Sequence, residues 1–427
     1  MIPGPTIPNL HVLVVGGGGR EHALAWACRR SPLVERVTCA PGNAGTLSIG
    51  ENRPVGATDA KGVVQLARSE SVDLVLLGPD AAVAAGVGDA LEAAGVPCFG
   101  PGQAAGKLES SKAFAKEVMG QAGVASPEAV AFDDHEEALR HLRGRGAPVV
   151  VKADGPALGK GVFVCRTLAE AEAALELLLR QRALGAAGAR VLIEDCLSGE
   201  EASFFAICDG ESAVMLPPAR DYKQAFDHDR GSNTGGMGSY APAPPLEWPE
   251  LNRKVLREVV EPVLRQMVRR GTPYRGCLYV GAMLVGATIQ VLEFNARFGD
   301  PETEVQLPLL GDIVPLLWQS AHGRLDLPAP APRQGVCVGV VAVREPYPES
   351  VASGGAVLGI SAAEGSGCRV FQMGTSLGAE GAIEVAGGRV LICTAVGPDR
   401  AAARDKAYQG LAAISFPGMR YRHDIGA

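Results

Sequence analysis

The sequence predicts an α/β protein built from several units, and three observations carry that prediction. Short apolar runs alternate with helical segments between residues 11 and 99, the order of a small parallel sheet with helices on both faces. Gly100-Pro101-Gly102 and Pro328-Ala329-Pro330-Ala331-Pro332 punctuate the chain as a boundary and a linker. At 427 residues the chain exceeds one ordinary core, so about two to four domains are expected. The resulting division is an N-terminal α/β substrate-binding unit at 1–102, a central unit at 103–327 with a small lid near 123–193, and a C-terminal mixed α+β unit at 333–427.

In the first unit, strands are expected at 11–15, 36–40, 72–77 and 96–99, with helices at 20–30, 60–67 and 80–95. Two loops follow the first two strands: Gly16-Gly17-Gly18-Gly19 and Pro41-Gly42-Asn43-Ala44-Gly45-Thr46. A dinucleotide fingerprint fails on the first of them. Glu21 or His22 stands where the third glycine belongs, and the second strand ends in Cys39-Ala40 rather than in an acid. A phosphate at a glycine-rich helix N-terminus remains sound. The readings left are a substrate phosphate or ribose, and a structural turn.

In the second unit, 104–122 reads as one helix carrying Lys107, Lys112 and Lys116. A strand at 148–152 ends in Lys152. Ala153-Asp154-Gly155-Pro156-Ala157-Leu158-Gly159-Lys160-Gly161 follows, then a strand at 162–165. This is not a Walker A loop. The glycine spacing is short, Gly161 replaces the Ser or Thr, and a strand follows where a helix is required. It reads as a hairpin, either an ordinary one or one whose tip lays backbone N–H groups on phosphate oxygens. With a helix at 168–182 and strands at 190–194 and 202–208, Glu194 and Glu201 either face a common crevice or are surface carboxylates. Gly231, Gly235, Gly236 and Gly238 make 231–238 neither helix nor central strand, but backbone that approaches a ligand closely. A helix at 249–270, strands at 278–284 and 289–293, and a helix at 307–322 complete the unit. The C-terminal unit reads as strands at 337–343, 368–373 and 390–395, a helix at 400–414 and an exposed tail. It shows no catalytic constellation of its own, so it supports or completes the site.

The densest chemistry lies in Val291-Leu292-Glu293-Phe294-Asn295-Ala296-Arg297-Phe298-Gly299-Asp300-Pro301-Glu302-Thr303-Glu304. Strand alternation puts Leu292 and Phe294 on an apolar face, and Glu293, Asn295 and Arg297 on the other. Glu and Asn oxygens suit Mg²⁺, which leaves its other positions to water and phosphate. An arginine two residues on reaches a phosphate or developing oxyanion beside it. The alternatives are a solvated polar face and a structural Glu293–Arg297 ion pair. Three further carboxylates occupy the Gly/Pro turn that follows.

The net charge of −7 argues against a general nucleic-acid binder. The ten cysteines are scattered without a C-x-x-C pair, as buried thiols of a reducing compartment are. No apolar run approaches the ~20 residues of a spanning helix, and residues 1–10 lack a signal-peptide pattern. A cytoplasmic monomer with no membrane and no nucleic-acid partner is expected.

Together these segments resemble the ATP-grasp ligases, and among them the phosphoribosylamine–glycine ligases, over nearly the whole chain. The resemblance rests on Gly16-Gly17-Gly18-Gly19-Arg20-Glu21-His22, Pro41 to Thr46, Asn233-Thr234-Gly235-Gly236-Met237-Gly238 and Arg297 to Thr303, in that order. It implies a pre-ATP-grasp domain, an ATP-grasp domain with its lid, and a C-terminal domain. It further implies that ATP phosphorylates the glycine carboxylate, and that 5-phosphoribosylamine attacks the glycyl phosphate to give glycinamide ribonucleotide, ADP and phosphate in de novo purine biosynthesis. Glu293 and Asn295 become ligands of Mg²⁺ or Mn²⁺, and Arg297, Lys223 and Asp221 the catalytic set. Lys112, Lys152, Gly155, Gly159, Lys160 and Gly161 fall to the ATP phosphates, and Glu194, Leu197 and Glu201 to the adenosine. The substrates fall to Gly17, Gly18, Arg20, Glu21, Gly42, Asn43, Ala44, Gly45, Thr46, Asn233, Thr234, Gly236, Met237, Asp300, Glu302 and Thr303. Departures from the family pattern are Pro156-Ala157-Leu158, Tyr222, Gln224 and Ser232. The competing readings are another ATP-grasp carboxylate–amine ligase and an inactive nucleotide-binding relative.

Overall fold

The computed structural model describes residues 9–157, 161–243 and 248–427. Its first sheet is five-stranded and parallel, ordered Glu51–Asn52, Val34–Pro41, Leu10–Gly16, Leu74–Leu77 and Cys98–Phe99. Connections leave Leu10–Gly16 in both directions, so the loops after it and its neighbours open into one crevice at the carboxyl edge. Leu10–Gly16 is buried throughout because both its faces are covered. Val12 and Val14 pack with Leu24 on one face, Leu13 and Val15 with Val63 on the other, as a period of two dictates.

The largest sheet is antiparallel. Its order is Thr288–Asn295, Tyr274–Val285, Glu200–Gly210, Ala213–Asp221, Gly238–Ala241, Val336–Arg344, Arg389–Gly397 and Arg369–Gln372, with Met419–Arg420 paired to Val336–Arg344. It runs unbroken from the central to the C-terminal part of the chain through the pairing of Gly238–Ala241 with Val336–Arg344. That corrects the reading that no part of 231–238 belongs to a central strand. Gly238 opens a central strand, and a Cβ there would meet Gly339 O and Ile425 Cγ2 at 2.7 Å each. Ala213–Asp221 escaped the sequence reading because Pro217 and Pro218 sit inside it, and prolines argue against a central strand.

The lid is a four-stranded antiparallel sheet, ordered Ala129–Phe132, Val191–Asp195, Val149–Ala153 and Val162–Cys165. The helices His135–Arg145 and Leu168–Leu175 cover one of its faces through Ala138, Leu142, Ala171 and Leu175. One hydrophobic core then ties the first sheet (Val12), the large sheet (Phe205) and the C-terminal strands (Phe371, Ile392) together.

Three further expectations are corrected. The helix read at 104–122 is two, Gln103–Ser110 and Lys112–Ala122, because Ser111 is extended and caps the second with its own hydroxyl. The helix read at 307–322 begins earlier and is broken into Glu302–Gln306, a 3₁₀ turn Leu307–Leu309 and Val314–Ala321. Glu302 and Glu304 therefore stand on a buried helix rather than in an open turn. The tail read as exposed is packed. Arg422 and Ile425 are buried, Arg422 binds Asp229, Asp424 and Gln224 O, and the Gly426 N–H donates to the Tyr222 hydroxyl at 3.0 Å.

His22 joins the N-terminal and C-terminal parts, its Nδ1 accepting the Gln372 N–H at 2.8 Å. Burial pushes its pKa down to about 4, and the donated N–H occupies the Nδ1 lone pair that a proton would need. The folded histidine is thus neutral, while the unfolded one takes a proton near its usual ~6.5. The contribution is complete above that value and is lost as pH falls toward 4, by up to roughly 3 kcal/mol. Urea unfolding between pH 7 and 4 should show this loss, and His22→Asn should show less of it.

Candidate active site

Glu293 and Asn295 lie on Thr288–Asn295, the edge strand of the large sheet. A β-bulge interrupts its pairing. Glu293 faces Gly281 and Val291 faces Ala282, leaving Leu292 unpaired and only half-buried. The apolar face is therefore Val291, Phe294 and Ala296, not Leu292 and Phe294 as expected. The freed Leu292 carbonyl accepts a hydrogen bond from Lys152 Nζ at 3.1 Å.

Cations converge on Glu293. Lys223 Nζ lies 3.8 Å from Glu293 Oε1 and 3.8 Å from Glu201 Oε2. Burial pushes the Glu293 carboxyl up, but Lys223, Lys152, Lys112 and Arg297 together hold it below its usual value. Asp221 keeps Lys223 well above its ordinary range despite burial, and burial in turn pushes the Asp221 carboxyl up against the pull of Lys223. Lys112, at the first position of its helix, makes no ion pair among the described residues, and burial lowers its pKa. The break at Ser111 places it. Ser111 Oγ donates to the Asp154 carboxylate at 3.1 Å, and Asp154 Oδ1 accepts the Ala113 N–H at 2.8 Å. The helix start is thereby pinned to the foot of the hairpin.

Lys152 is buried against Glu194, Nζ to Oε2 2.7 Å. Lys116 lies 3.4 Å from the other oxygen of Glu194 and donates to Pro127 O. Glu194 is thus held between two lysines, with Leu197 half-buried beyond it and Glu201 exposed. Gly155 donates its N–H to Ala187 O, and Ala153 donates to Gly161 O. Gly159 and Lys160 lie outside the described residues. A cavity of about 570 Å³ opens beside this corner, with Lys107, Lys116, Arg190 and Leu192 in its walls. None of Lys112, Lys152, Glu293 or Asn295 lines it.

Arg297 turns away from Glu293. Its Nη2 lies 3.1 Å from Glu109 Oε1 and donates to Asn295 Oδ1 at 3.3 Å. Glu109 also accepts the Ala296 N–H at 2.7 Å. Burial pushes the Glu109 carboxyl up, with Arg297 opposing it. Sequence reasoning missed Glu109, which stands on a different element 188 positions away.

The second corner is made of glycine loops. A Cβ on Gly17 would lie 2.6 Å from Gly42 O, so the two N-terminal loops touch. Asn43 stitches them. Its amide donates to Gly17 O and Gln372 O, and its oxygen accepts the N–H groups of Gly45 and Thr46. The side chain is consumed by these bonds, so Asn43 shapes the loop that Ala44 completes. Thr46 is buried and bonded to Asn52. Arg20 and Glu21 are buried on each other. Glu21 accepts the Gly18 N–H at 2.6 Å, and Arg20 donates to Phe298 O, tying this loop to the Phe298–Asp300 turn. Gly236 abuts Pro301, while Thr234 caps its own loop on Lys223 O. Asn233 ends the small strand Arg230–Asn233. Met237 is wholly buried in the core and Thr303 is bonded to Gly299 O. Their side chains therefore build the wall rather than face the cleft. Glu302 is buried too, and its carboxyl is pushed up to about 7, chiefly by burial and then by Asp221.

Family models match along the chain: the N domain of phosphoribosylglycinamide synthetase at residues 10–109, its ATP-grasp (A) domain at 110–303 and its C domain at 337–427. The chain is 45% identical to phosphoribosylamine–glycine ligases from Allochromatium vinosum and Caulobacter vibrioides, covering 98% of each pair. It is also similar to the crystal structure of that ligase from Thermotoga maritima, with a TM-score of 0.84, 32% identity, and 97% of this chain and 100% of the other covered. The biotin carboxylase domain of Hydrogenobacter thermophilus 2-oxoglutarate carboxylase, at 19% identity and a TM-score of 0.73, shares the fold. With an N-terminal parallel sheet, a lidded ATP-grasp unit and a C-terminal unit matched end to end, the chain belongs to the phosphoribosylamine–glycine ligase family.

Proposed function

We propose that this ligase joins glycine to 5-phosphoribosylamine at the two corners described, ATP binding between the lid and the large sheet and the sugar phosphate at the glycine loops. The observation that carries this reading is the gathering of Lys112, Lys152 and Lys223 about the Glu293 strand, with Lys223 Nζ 3.8 Å from the Glu293 carboxylate and Lys152 Nζ on the Leu292 carbonyl, a charge arrangement suited to a triphosphate and its metal. A glycine carboxylate oxygen attacks the terminal phosphorus and ADP leaves. The amine then attacks the carbonyl carbon, loses a proton, and phosphate leaves. Such chemistry asks the protein mainly for positioning and charge.

Lys112 and Lys152 hold the phosphates, with Gly155 and Gly161 at the loop beside them, while Glu194, Leu197 and Glu201 border the adenosine. Lys223 and Asp221 order the glycine end, and Arg297 takes charge developing on the acyl phosphate. No group of three or more His, Cys, Asp or Glu able to hold a metal occurs among the described residues. Glu293 and Asn295 offer two oxygen donors, which fits Mg²⁺ or Mn²⁺ shared with phosphate and water. Such an ion, when bound, neutralises phosphate charge. No helix among the described residues is long and apolar enough to cross a membrane, and we place the enzyme in the cytoplasm as a monomer. Phosphate release from ATP that needs both glycine and freshly made phosphoribosylamine tests the reading. Release with a different acid or amine, and not with these, overturns it.

Asn43→Ala separates the two corners. It unstitches the glycine loops, so the KM for phosphoribosylamine should rise while that for ATP stays nearly constant. Several buried backbone groups lose their partner, so stability should also fall, by about 1–3 kcal/mol. A rise in the ATP KM instead would mean that the two sites are reversed.

A further inference from the structure

Arg389 opens the C-terminal strand Arg389–Gly397, yet its guanidinium reaches the glycine-loop corner. Its Nη1 donates to Gly235 O at 2.6 Å and to Asp300 O at 3.1 Å, and lies 3.0 Å from Asp300 Oδ1. The approach is close: a Cβ on Gly235 would lie 3.0 Å from Arg389 Cζ. Tyr347, also C-terminal, accepts the Gly235 N–H at 3.1 Å. The loop is thus held at both its N–H and its carbonyl by the C-terminal part. Gly236 packs on Pro301, where a Cβ would meet Cδ at 2.4 Å.

On its far side Asp300 approaches the N-terminal loop, with Oδ2 3.5 Å from where a Cβ on Gly18 would stand. Behind it Glu304 is wholly buried, both carboxyl oxygens without a hydrogen-bond partner among the described residues. Arg389, in contact with both the carboxylate and the carbonyl of Asp300, fixes that side chain between the loops.

We infer that Arg389 is a positioning residue for the sugar-amine subsite, fixing the Asp300 carboxylate where it can accept the hydroxyls of a phosphorylated ribose. Ionised carboxylates are acceptors only, and Asp300 brings one from the large sheet up to the glycine loop of the parallel sheet, where a ribose hydroxyl can donate to it. The inference rests on the proposed reading of Asp300 as a substrate ligand.

The test compares Arg389→Met, Arg389→Lys, Asp300→Asn and the Asp300→Asn/Arg389→Met double variant, with KM for all three substrates, kcat and the thermal midpoint. Arg389→Met should raise the KM for phosphoribosylamine by about tenfold or more, the scale of a lost partner behind a ligating group. The KM for ATP should hold, and Arg389→Lys should recover part of the loss because it keeps charge without the fork. The double variant should be no worse than Asp300→Asn alone, since both act through one carboxylate. If Asp300→Asn raises that KM and Arg389→Met does not, the inference is overturned while the reading of Asp300 stands. If Asp300→Asn leaves the KM unchanged, that reading falls and takes the inference with it. An equal rise in all three KM values, tracking a lower thermal midpoint, would make Arg389 purely structural and also overturn the inference.

Discussion

Glu293→Gln should leave a folded protein whose glycine-dependent ATP turnover falls by about 10²-fold or more, since even groups behind a metal ligand are worth 10–100-fold. The substitution keeps the volume and one oxygen but removes the charge that holds a divalent ion against a triphosphate. Stability should change little. Lys223, the cation 3.8 Å away, keeps Glu201 at the same distance and Asp221 as its strongest partner. Glu293 is also half-buried on the polar side of its strand, so no core void opens beside Val291, Phe294 and Ala296. The thermal midpoint should move by no more than a few degrees. The alternative of a structural Glu293–Arg297 pair finds no support, because Arg297 pairs with Glu109. Thermal stability and turnover measured on one preparation decide the matter, and a folded variant with near-normal turnover would end the metal-ligand assignment.

What was legible in the sequence was whatever depends on local pattern. The apolar run buried on both faces as Leu10–Gly16 and the hairpin of Val149–Ala153 with Val162–Cys165 follow from residues a few positions apart. So do the glycine loops after the parallel strands. What failed depends on distant partners. The Leu292 bulge is a matter of register against Gly281 and Ala282 on the neighbouring strand. The packed tail depends on Tyr222, Asp229 and Gln224, 193 to 204 positions upstream. Glu109 gains meaning only once its helix is set against the edge strand. Ser111 was the exception. It carried a readable local signal, a serine before a new helix start, masked by an apolar pattern that runs on through both helices. Met237 shows the converse limit. A residue inside a ligand-loop motif need not face the ligand, and this one is wholly buried.

Arg297→Ala should cost activity and stability together, and the two losses should come apart when Glu109 is changed as well. Loss of a charged donor facing a developing oxyanion costs roughly 3–4 kcal/mol, or about 10²–10³ in kcat. The structure adds a second effect. Glu109, only 12% exposed in its side chain, would lose its cation and keep the Ala296 N–H. Breaking one side of a buried pair costs about 3–5 kcal/mol. Burial already pushes the Glu109 carboxyl up, so without Arg297 it should take up a proton more readily. The folded pKa would then lie further above the unfolded one, and the deficit of the single variant should shrink as pH falls toward 4. Glu109→Gln removes the stranded charge while leaving an oxygen for the Ala296 N–H. The Glu109→Gln/Arg297→Ala protein should therefore regain most of the lost thermal midpoint and almost none of the lost kcat. Recovery of turnover to within a few-fold of the unaltered enzyme would show that Arg297 serves only to hold Glu109, and the oxyanion role would be abandoned.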